Sequence, residues 1–126
     1  MAARWVIRIV ACIAFVAMTA CASASEPSRA ELPNEVQVFE PQGQPDRWTY
    51  TPNTLSVAAG TAVTFANHGK EFHTVTSDDP GRLFDISLDV NKIASFTFAR
   101  AGTFSYHCGV HPQMKGVIRV CDGACS

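Results

Sequence analysis

Four side chains that bind soft metal ions are concentrated in the second half of the chain. Cys108, His111 and Met114 follow one another at three-residue intervals in Tyr-His-Cys-Gly-Val-His-Pro-Gln-Met, and His73 lies upstream in Glu-Phe-His-Thr-Val. Two histidines and one cysteine in a trigonal arrangement, with a long axial methionine, are the ligands of a mononuclear electron-transfer copper site. The residue types and their spacing therefore predict one copper ion bound by these four side chains.

The same donors suit both oxidation states of copper. Thiolate and thioether sulfur bind Cu(I), whereas imidazole also binds Cu(II) well. Ligands on a rigid framework keep their positions when an electron arrives. We therefore expect a one-electron carrier that alternates between Cu(II) and Cu(I), and not an enzyme. The alternative is a periplasmic copper-binding or delivery protein, but the complete ligand set favours the carrier because delivery usually needs an open, exchangeable site.

Other chemistries fit these residues less well. Structural zinc sites use four cysteine or histidine ligands, so Met114 would be a poor zinc ligand. Covalent haem attachment needs Cys-x-x-Cys-His, which the sequence lacks. A nucleophilic Cys108 paired with His111 would need a third, orienting group, and no asparagine or aspartate suggests itself for that role.

The remaining histidines and cysteines are given other roles. His107 precedes Cys108 on a strand and should point away from the metal, and His68 lies in a turn-like Asn-His-Gly-Lys stretch. Cys121 and Cys125 flank a flexible glycine and are candidates for a small disulfide loop. A reduced pair, or a small thiol-based metal clip, is the alternative at these two cysteines.

The N-terminal segment has the features of an export signal. Arg4 and Arg8 provide a positive start, and Ile9–Ala20 is an apolar run too short to span a bilayer comfortably, typical of a secretory signal. The small residues Ala22–Ala24 fit an ordinary cleavage site. The alternative is lipoprotein processing, because Met-Thr-Ala-Cys ends at Cys21, which would then carry the lipid.

The chain accordingly divides into three segments. Residues 1–24 are interpreted as a signal peptide, residues 25–34 as a polar tether and residues 35–126 as the copper-binding domain. We expect a periplasmic protein whose contact with a membrane, if any, is made through a lipid on Cys21.

Short segments of alternating polarity fill the domain and predict strands. Their apolar members are Val36 and Val38, Trp48 and Tyr50, Leu55 and Val57, Val63 and Phe65, Phe96 and Phe98, Phe104 and Tyr106, and Ile118 and Val120. No long 3.6-residue apolar stripe follows residue 30, so the pattern favours an all-β Greek-key sandwich or small barrel. Five phenylalanines are interpreted as core, namely Phe39, Phe65, Phe96, Phe98 and Phe104.

Composition limits the class of partner. The 126 residues are 47% hydrophobic and 17% charged, with a formal net charge of −1, which is enough apolar material for one folded domain. No basic stripe suggests nucleic-acid binding. We expect a monomer that meets protein redox partners transiently.

Several motifs between Thr51 and Val120 together resemble the cupredoxins, most closely the amicyanin- and plastocyanin-like branch. They are Pro52–Leu55, Ala59–Phe65 with Asn67, His73–Val75, Phe84-Asp85, Phe96–Phe98, Gly102–Tyr106 and the loop from Cys108 to Met114. The loop together with His73 is the most specific part of this resemblance. The two residues between His111 and Met114 are similar to amicyanin, since plastocyanins place the methionine further along.

The resemblance implies an eight-stranded sandwich with copper at one end. It also implies that His73, Cys108, His111 and Met114 are the ligands. His111 would lie near the surface as the exit for the electron, so that partners dock beside it.

The residue before the second histidine departs from the resemblance. It is usually proline in these relatives, but here it is Val110. Proline has no N–H, whereas Val110 can donate one toward the Cys108 sulfur, beside a donor at Thr74. Asn67, together with Thr74 and Val110, is predicted to surround the metal ligands without binding the metal. Because hydrogen bonding around the cysteine sulfur tunes the potential, we expect a higher reduction potential than in the proline-bearing relatives.

Overall fold

The computed structural model describes residues 33–125. The interpretation of residues 1–24 as a signal peptide and of Cys21 as a lipidation site lies outside the described residues. The described strands are β1 (Glu35–Phe39), β2 (Thr49–Thr51), β3 (Thr54–Ala58), β4 (Thr61–Ala66), β5 (His73–Ser77), β6 (Asp85–Leu88), β7 (Ile93–Phe98), β8 (Gly102–His107) and β9 (Lys115–Cys121). A 3-10 helix, Pro45–Arg47, is the helical segment of residues 33–125. No helix in this part is long and apolar enough to cross a membrane.

The strands form two sheets. One has four strands in the order β2-β1-β4-β7, and the other has five in the order β3-β9-β8-β5-β6. The β1–β4 and β3–β9 pairs are parallel, whereas β5 is antiparallel to both β6 and β8. The predicted all-β sandwich is confirmed, with one strand more than the eight that the resemblance implied.

Alternation along the strands builds one core from both sheets. In β9, Ile118 and Val120 are buried while Arg119 between them is exposed, because successive side chains of a strand point to opposite faces. Phe84, from the segment before β6, packs on the rings of Phe96 and Phe98, with centroids 5.0 and 5.6 Å away. The core thus anchors the five-stranded sheet, whose loops carry the predicted ligands.

The interpretation of Phe39 as core is wrong. Its side chain is 53% exposed, whereas Val36 and Val38 are buried. The period-two pattern explains the difference, since a strand that points Val36 and Val38 inward must point Phe39 outward. The other four phenylalanines belong to the core: Phe65 and Phe98 are buried, and Phe96 and Phe104 pack against it.

Two strands next to the predicted ligands were not identified from alternation. In β5, the residues Val75, Thr76 and Ser77 are buried in succession, so the strand lacks the exposed positions that alternation requires. β6 is short and lies at the edge of its sheet. The Thr76 hydroxyl donates to the Asp85 carboxylate at 2.8 Å, which ties the two strands together.

Candidate metal centre

Three neighbouring strands bring the predicted ligands to one end of the five-stranded sheet. His73 is the first residue of β5, and Cys108 directly follows the end of β8. β5 and β8 run antiparallel, with Thr76 opposite His107, so the start of one strand lies beside the end of the other. Met114 immediately precedes β9, the neighbour of β8 on its other side.

Hydrogen bonds fix the loop between Cys108 and Met114. The Cys108 N–H donates to the Met114 carbonyl at 3.1 Å, and the Met114 N–H donates to the His111 carbonyl at 2.9 Å. The Gly109 N–H donates to the Thr74 hydroxyl at 2.8 Å. The loop is thereby closed on itself and attached to β5.

The ligand atoms of His73, Cys108 and His111 form a nearly isosceles triangle. The Cys108 sulfur lies 3.7 Å from each histidine Nδ1, and the two Nδ1 atoms lie 3.1 Å apart. A point equidistant from the three atoms lies about 2.0 Å from each, which matches protein metal–nitrogen bonds of about 2.0–2.1 Å. The residues therefore fit a single metal ion.

Burial differs among the four predicted ligands. His73, Cys108 and Met114 are completely buried, whereas His111 is partly exposed. The thioether of buried Met114 would supply the soft sulfur donor that type 1 copper sites use beside two histidines and a cysteine. One ligand, His111, connects the centre to the surface.

The surroundings favour the thiolate form of Cys108. Burial alone would raise the pKa of this thiol, but hydrogen bonding by His73, by the Thr74 and Val110 N–H groups and by His111 outweighs burial and lowers the pKa to about 6. The thiolate is the form that binds metals. The metal-free site thus favours the form of Cys108 that binds soft metal cations.

The residues predicted around the ligands act in different ways. The backbone N–H of Thr74 donates to the Cys108 sulfur at 3.3 Å, while its hydroxyl holds the loop. Asn67 is buried and holds the segment before β5: its amide donates to the carbonyls of Glu71 and Leu88 at 2.8 and 2.9 Å. Asn67 therefore shapes the chain that leads to His73 and does not contact the sulfur.

Sequence reasoning missed Glu40, which contacts a ligand. Its carboxylate accepts a hydrogen bond from His73 Nε2 at 2.5 Å. Burial alone would raise the pKa of Glu40, but hydrogen bonds from the Lys70 N–H and from His73 lower it. Burial alone would lower the pKa of His73, but its bonds with Cys108 and Glu40 raise it. Nothing in the local sequence marks Glu40, because it lies 33 residues before its partner.

Trp48 was likewise missed as a neighbour of the centre. Its ring packs edge-on against His111, with centroids 4.9 Å apart, and against His73 at 5.8 Å. The indole N–H donates to the Pro41 carbonyl at 3.3 Å. Trp48 thus covers two ligands from the β1–β2 connection, although alternation indicated only a strand residue.

The leftover histidines and cysteines lie apart from the triangle. His107 pairs with Asp78 at 2.5 Å, and His68 is exposed. In the part of the chain that the structure describes, the triangle is the one group of three or more histidine, cysteine or acidic side chains able to hold a metal. Cys121 and Cys125 are joined in a disulfide with Cα atoms 5.4 Å apart.

Comparisons of the sequence with known proteins found one family model and a curated relative. A family model described as a cupredoxin-like domain matches residues 9–120. A chloroplastic plastocyanin from Physcomitrium patens is 34% identical over 83 residues, which cover 56% of this chain and 49% of the plastocyanin. The chain thus spans about half the length of the curated relative that it matches.

Comparison with solved structures found proteins with a similar fold. A purple cupredoxin from Nitrosopumilus maritimus superposes with a TM-score of 0.61 and 26% identity over 69% of this chain and 98% of that one. An amicyanin mutant in its reduced state superposes with a TM-score of 0.59 and 27% identity over 69% of this chain and 80% of that one.

Proposed function

The chain belongs to the cupredoxin-like family, which binds one copper ion. We propose that it is an exported type 1 copper protein that carries one electron at a time. The single observation that supports the proposal most strongly is the closed set of two imidazoles and one thiolate, with ligand atoms 3.1 to 3.7 Å apart. Copper bound here supplies reversible one-electron chemistry between Cu(II) and Cu(I). The protein side chains hold the donors in place for both states.

Rigidity of the donors favours a carrier over a delivery protein. His73 is fixed by β5 and by Glu40, and Cys108 is fixed by the closed loop and the Thr74 N–H. Ligands held in position by their surroundings favour retention of the metal, whereas a delivery protein must release its metal to a partner. The ligand set therefore suits retention of copper through repeated redox cycles.

The surface beside His111 is the proposed docking site. Val110 is 51% exposed, and Pro112 and Gln113 are exposed next to it. A small, weak interface suits partners that must separate after each transfer. We propose that soluble or membrane-bound redox proteins meet this chain here and that the electron passes through His111.

Export and domain organisation complete the proposal. Residues 1–24 would direct the chain to the periplasm, residues 25–34 would act as a tether, and residues 35–126 would form the copper domain. Processing at Cys21 would add a lipid anchor, whereas cleavage after Ala24 would release a free protein. The mass of the exported protein distinguishes these two products.

Repeated oxidation and reduction tests the carrier directly. The copper-loaded domain is reduced with ascorbate, oxidised with ferricyanide and cycled in the presence of a Cu(I) chelator. A carrier returns its full visible absorbance after each cycle and consumes one electron per copper. Loss of copper to the chelator in the reduced state would replace the carrier by the delivery protein.

A further inference from the structure

The geometry points to Glu40 as a residue that positions His73 and lowers the reduction potential of the centre. We propose that its carboxylate fixes the imidazole with Nδ1 toward the metal and stabilises the oxidised ion more than the reduced one. The inference rests on the copper site of the proposed function and adds a residue outside the four ligands.

Glu40 is held where it can act on one ligand. Its side chain is 8% exposed, beside a completely buried His73. One carboxylate oxygen faces His73 Nε2 at 2.5 Å, and the other accepts from the Lys70 N–H at 2.8 Å. A longer bond of 3.4 Å from the Glu71 N–H completes the set. Backbone amides thus hold the carboxylate independently of the imidazole.

Gly69 makes room for this arrangement. A Cβ added at Gly69 would collide with the Glu40 carboxylate, so a larger residue would displace it. Asn67 fixes the same turn, because its side-chain oxygen accepts from the Gly69 N–H at 2.9 Å. The segment before β5 is therefore shaped around the carboxylate.

The carboxylate determines which histidine nitrogen faces the metal. An ionised carboxylate only accepts hydrogen bonds, so the proton of neutral His73 lies on Nε2 and Nδ1 keeps its free electron pair. Nδ1 is the atom that faces the Cys108 sulfur and His111. Carboxylate partners of this kind fix the tautomer and increase the basicity of metal-binding histidines.

The same negative charge favours the oxidised state. A nearly buried anion interacts more strongly with Cu(II) than with Cu(I), because the interaction grows with the charge of the ion and is weakly screened away from water. Removing the charge should therefore weaken Cu(II) binding more than Cu(I) binding. The reduction potential should rise as a result.

Glu40→Gln tests the effect of the charge, with Glu71→Gln as the matched control. Glu71 is an exposed carboxylate whose side chain has no hydrogen bond among the described residues, so its substitution removes an equal charge nearby. Loss of such partners costs about 10–100-fold in metal affinity. We expect Glu40→Gln to weaken Cu(II) binding about tenfold more than Cu(I) binding, which raises the potential by about 59 mV. Glu71→Gln should change the potential much less.

Gly69→Ala tests the position of the charge. This variant keeps the carboxylate and displaces it from His73, so its potential should also rise. Thermal unfolding and the visible spectrum of each variant establish that the fold and the ligand set are intact. Equal reduction potentials in Glu40→Gln and Glu71→Gln would overturn the role of Glu40. An intact visible band in the same variants would leave the carrier proposal unaffected.

The metal-free protein provides a reading that does not depend on copper chemistry. Nitrogen-15 NMR of the His73 imidazole, recorded at a pH where the ring is neutral, should show the proton on Nε2 in the wild type and a loss of this fixed state in Glu40→Ala. A neutral His73 ring with its proton on Nδ1 in the wild type would overturn the positioning role. A wild type without a thiolate–copper band would instead overturn the proposed function, and the NMR result would still decide the role of Glu40.

Discussion

Two kinds of group next to the ligands, backbone N–H groups and a carboxylate, act on the reduction potential in opposite directions. N–H groups near the Cys108 sulfur, from Thr74 at 3.3 Å and from Val110, stabilise negative charge on sulfur and so favour the reduced state. The Glu40 carboxylate at the far side of His73 favours the oxidised state. The potential therefore reflects a balance between the sulfur and imidazole sides of the centre.

Val110→Pro removes one donor from the sulfur side. Because proline has no N–H, the charge on the Cys108 sulfur loses a stabilising contact and the reduction potential should fall. A hydrogen bond to a charged group contributes about 1.5 kcal/mol, which corresponds to about 60 mV for one electron. Val110→Ala is the control, because it keeps the N–H. Voltammetry that finds no lower potential in Val110→Pro would refute this role.

Ionisation of Cys108 should make the metal-free protein sensitive to pH. The pKa of Cys108 in the folded chain is about 6, below the ordinary thiol value of about 8.5. A lowered folded pKa adds stability that is complete above the unfolded pKa and is lost as pH falls through about 6. The difference in unfolding free energy between the wild type and Cys108→Ser should therefore shrink as pH falls from 9 to 6. A difference independent of pH would contradict this prediction.

Some residues of the centre could be predicted from the sequence, and others could not. Cys108, His111 and Met114 were predictable because their spacing is local, and His73 because its chemistry completes their set. Glu40 and Trp48 were not predictable, because their contacts join positions that only the β1–β2 connection brings near the centre. A single glutamate after a strand is usually a solvent-exposed surface residue, so its presence alone does not indicate a contact with a metal ligand.

At the scale of elements, β8 and β9 pack closely at the end that carries the loop between Cys108 and Met114. Tyr106 on β8 lies opposite Gly116 on β9, and its ring is completely buried. A Cβ at Gly116 would overlap the tyrosine ring and hydroxyl. Glycine at this position leaves room for the tyrosine ring between two strands that lead directly to Cys108 and Met114.

Gly116→Ala should destabilise the domain. The added methyl group must displace Tyr106 within a packed core, and such overpacking typically costs about 1–3 kcal/mol. Gly81→Ala is the matched control, because a Cβ at Gly81 meets open space. Urea unfolding of the metal-free proteins measures both effects. An unchanged midpoint for Gly116→Ala would show that this contact does not limit the packing.

Strand prediction succeeded where polar and apolar residues alternate over a whole strand, and it failed for the largely buried β5 and for the short edge strand β6. β4 and β9 alternate in sequence and in burial, so their presence and inward faces were predictable. β5 has no such alternation, because four of its five residues are buried. The alternation that indicated β1 also implies that Phe39 points outward. Phe39 was nevertheless interpreted as core because aromatic side chains are usually buried.

At the scale of the whole molecule, the two sheets hold a rigid centre with one partly exposed ligand. The ligands lie at one end of the five-stranded sheet, and His111 and Val110 are next to each other at the surface there. Burial of His73, Cys108 and Met114 keeps the other donors away from solvent. Under the proposed function, this arrangement would let a partner exchange an electron through His111 while the other three ligands stay buried.

The visible spectrum of the purified mature domain, recorded before and after one equivalent of Cu(II), tests whether the protein holds a thiolate–copper centre that transfers electrons. We expect an intense blue band that bleaches with ascorbate and returns on oxidation. This band should be lost in Cys108→Ser and should persist in His107→Ala. A colourless protein that takes up Cu(I) without such a band would contradict electron transfer and favour copper delivery or storage.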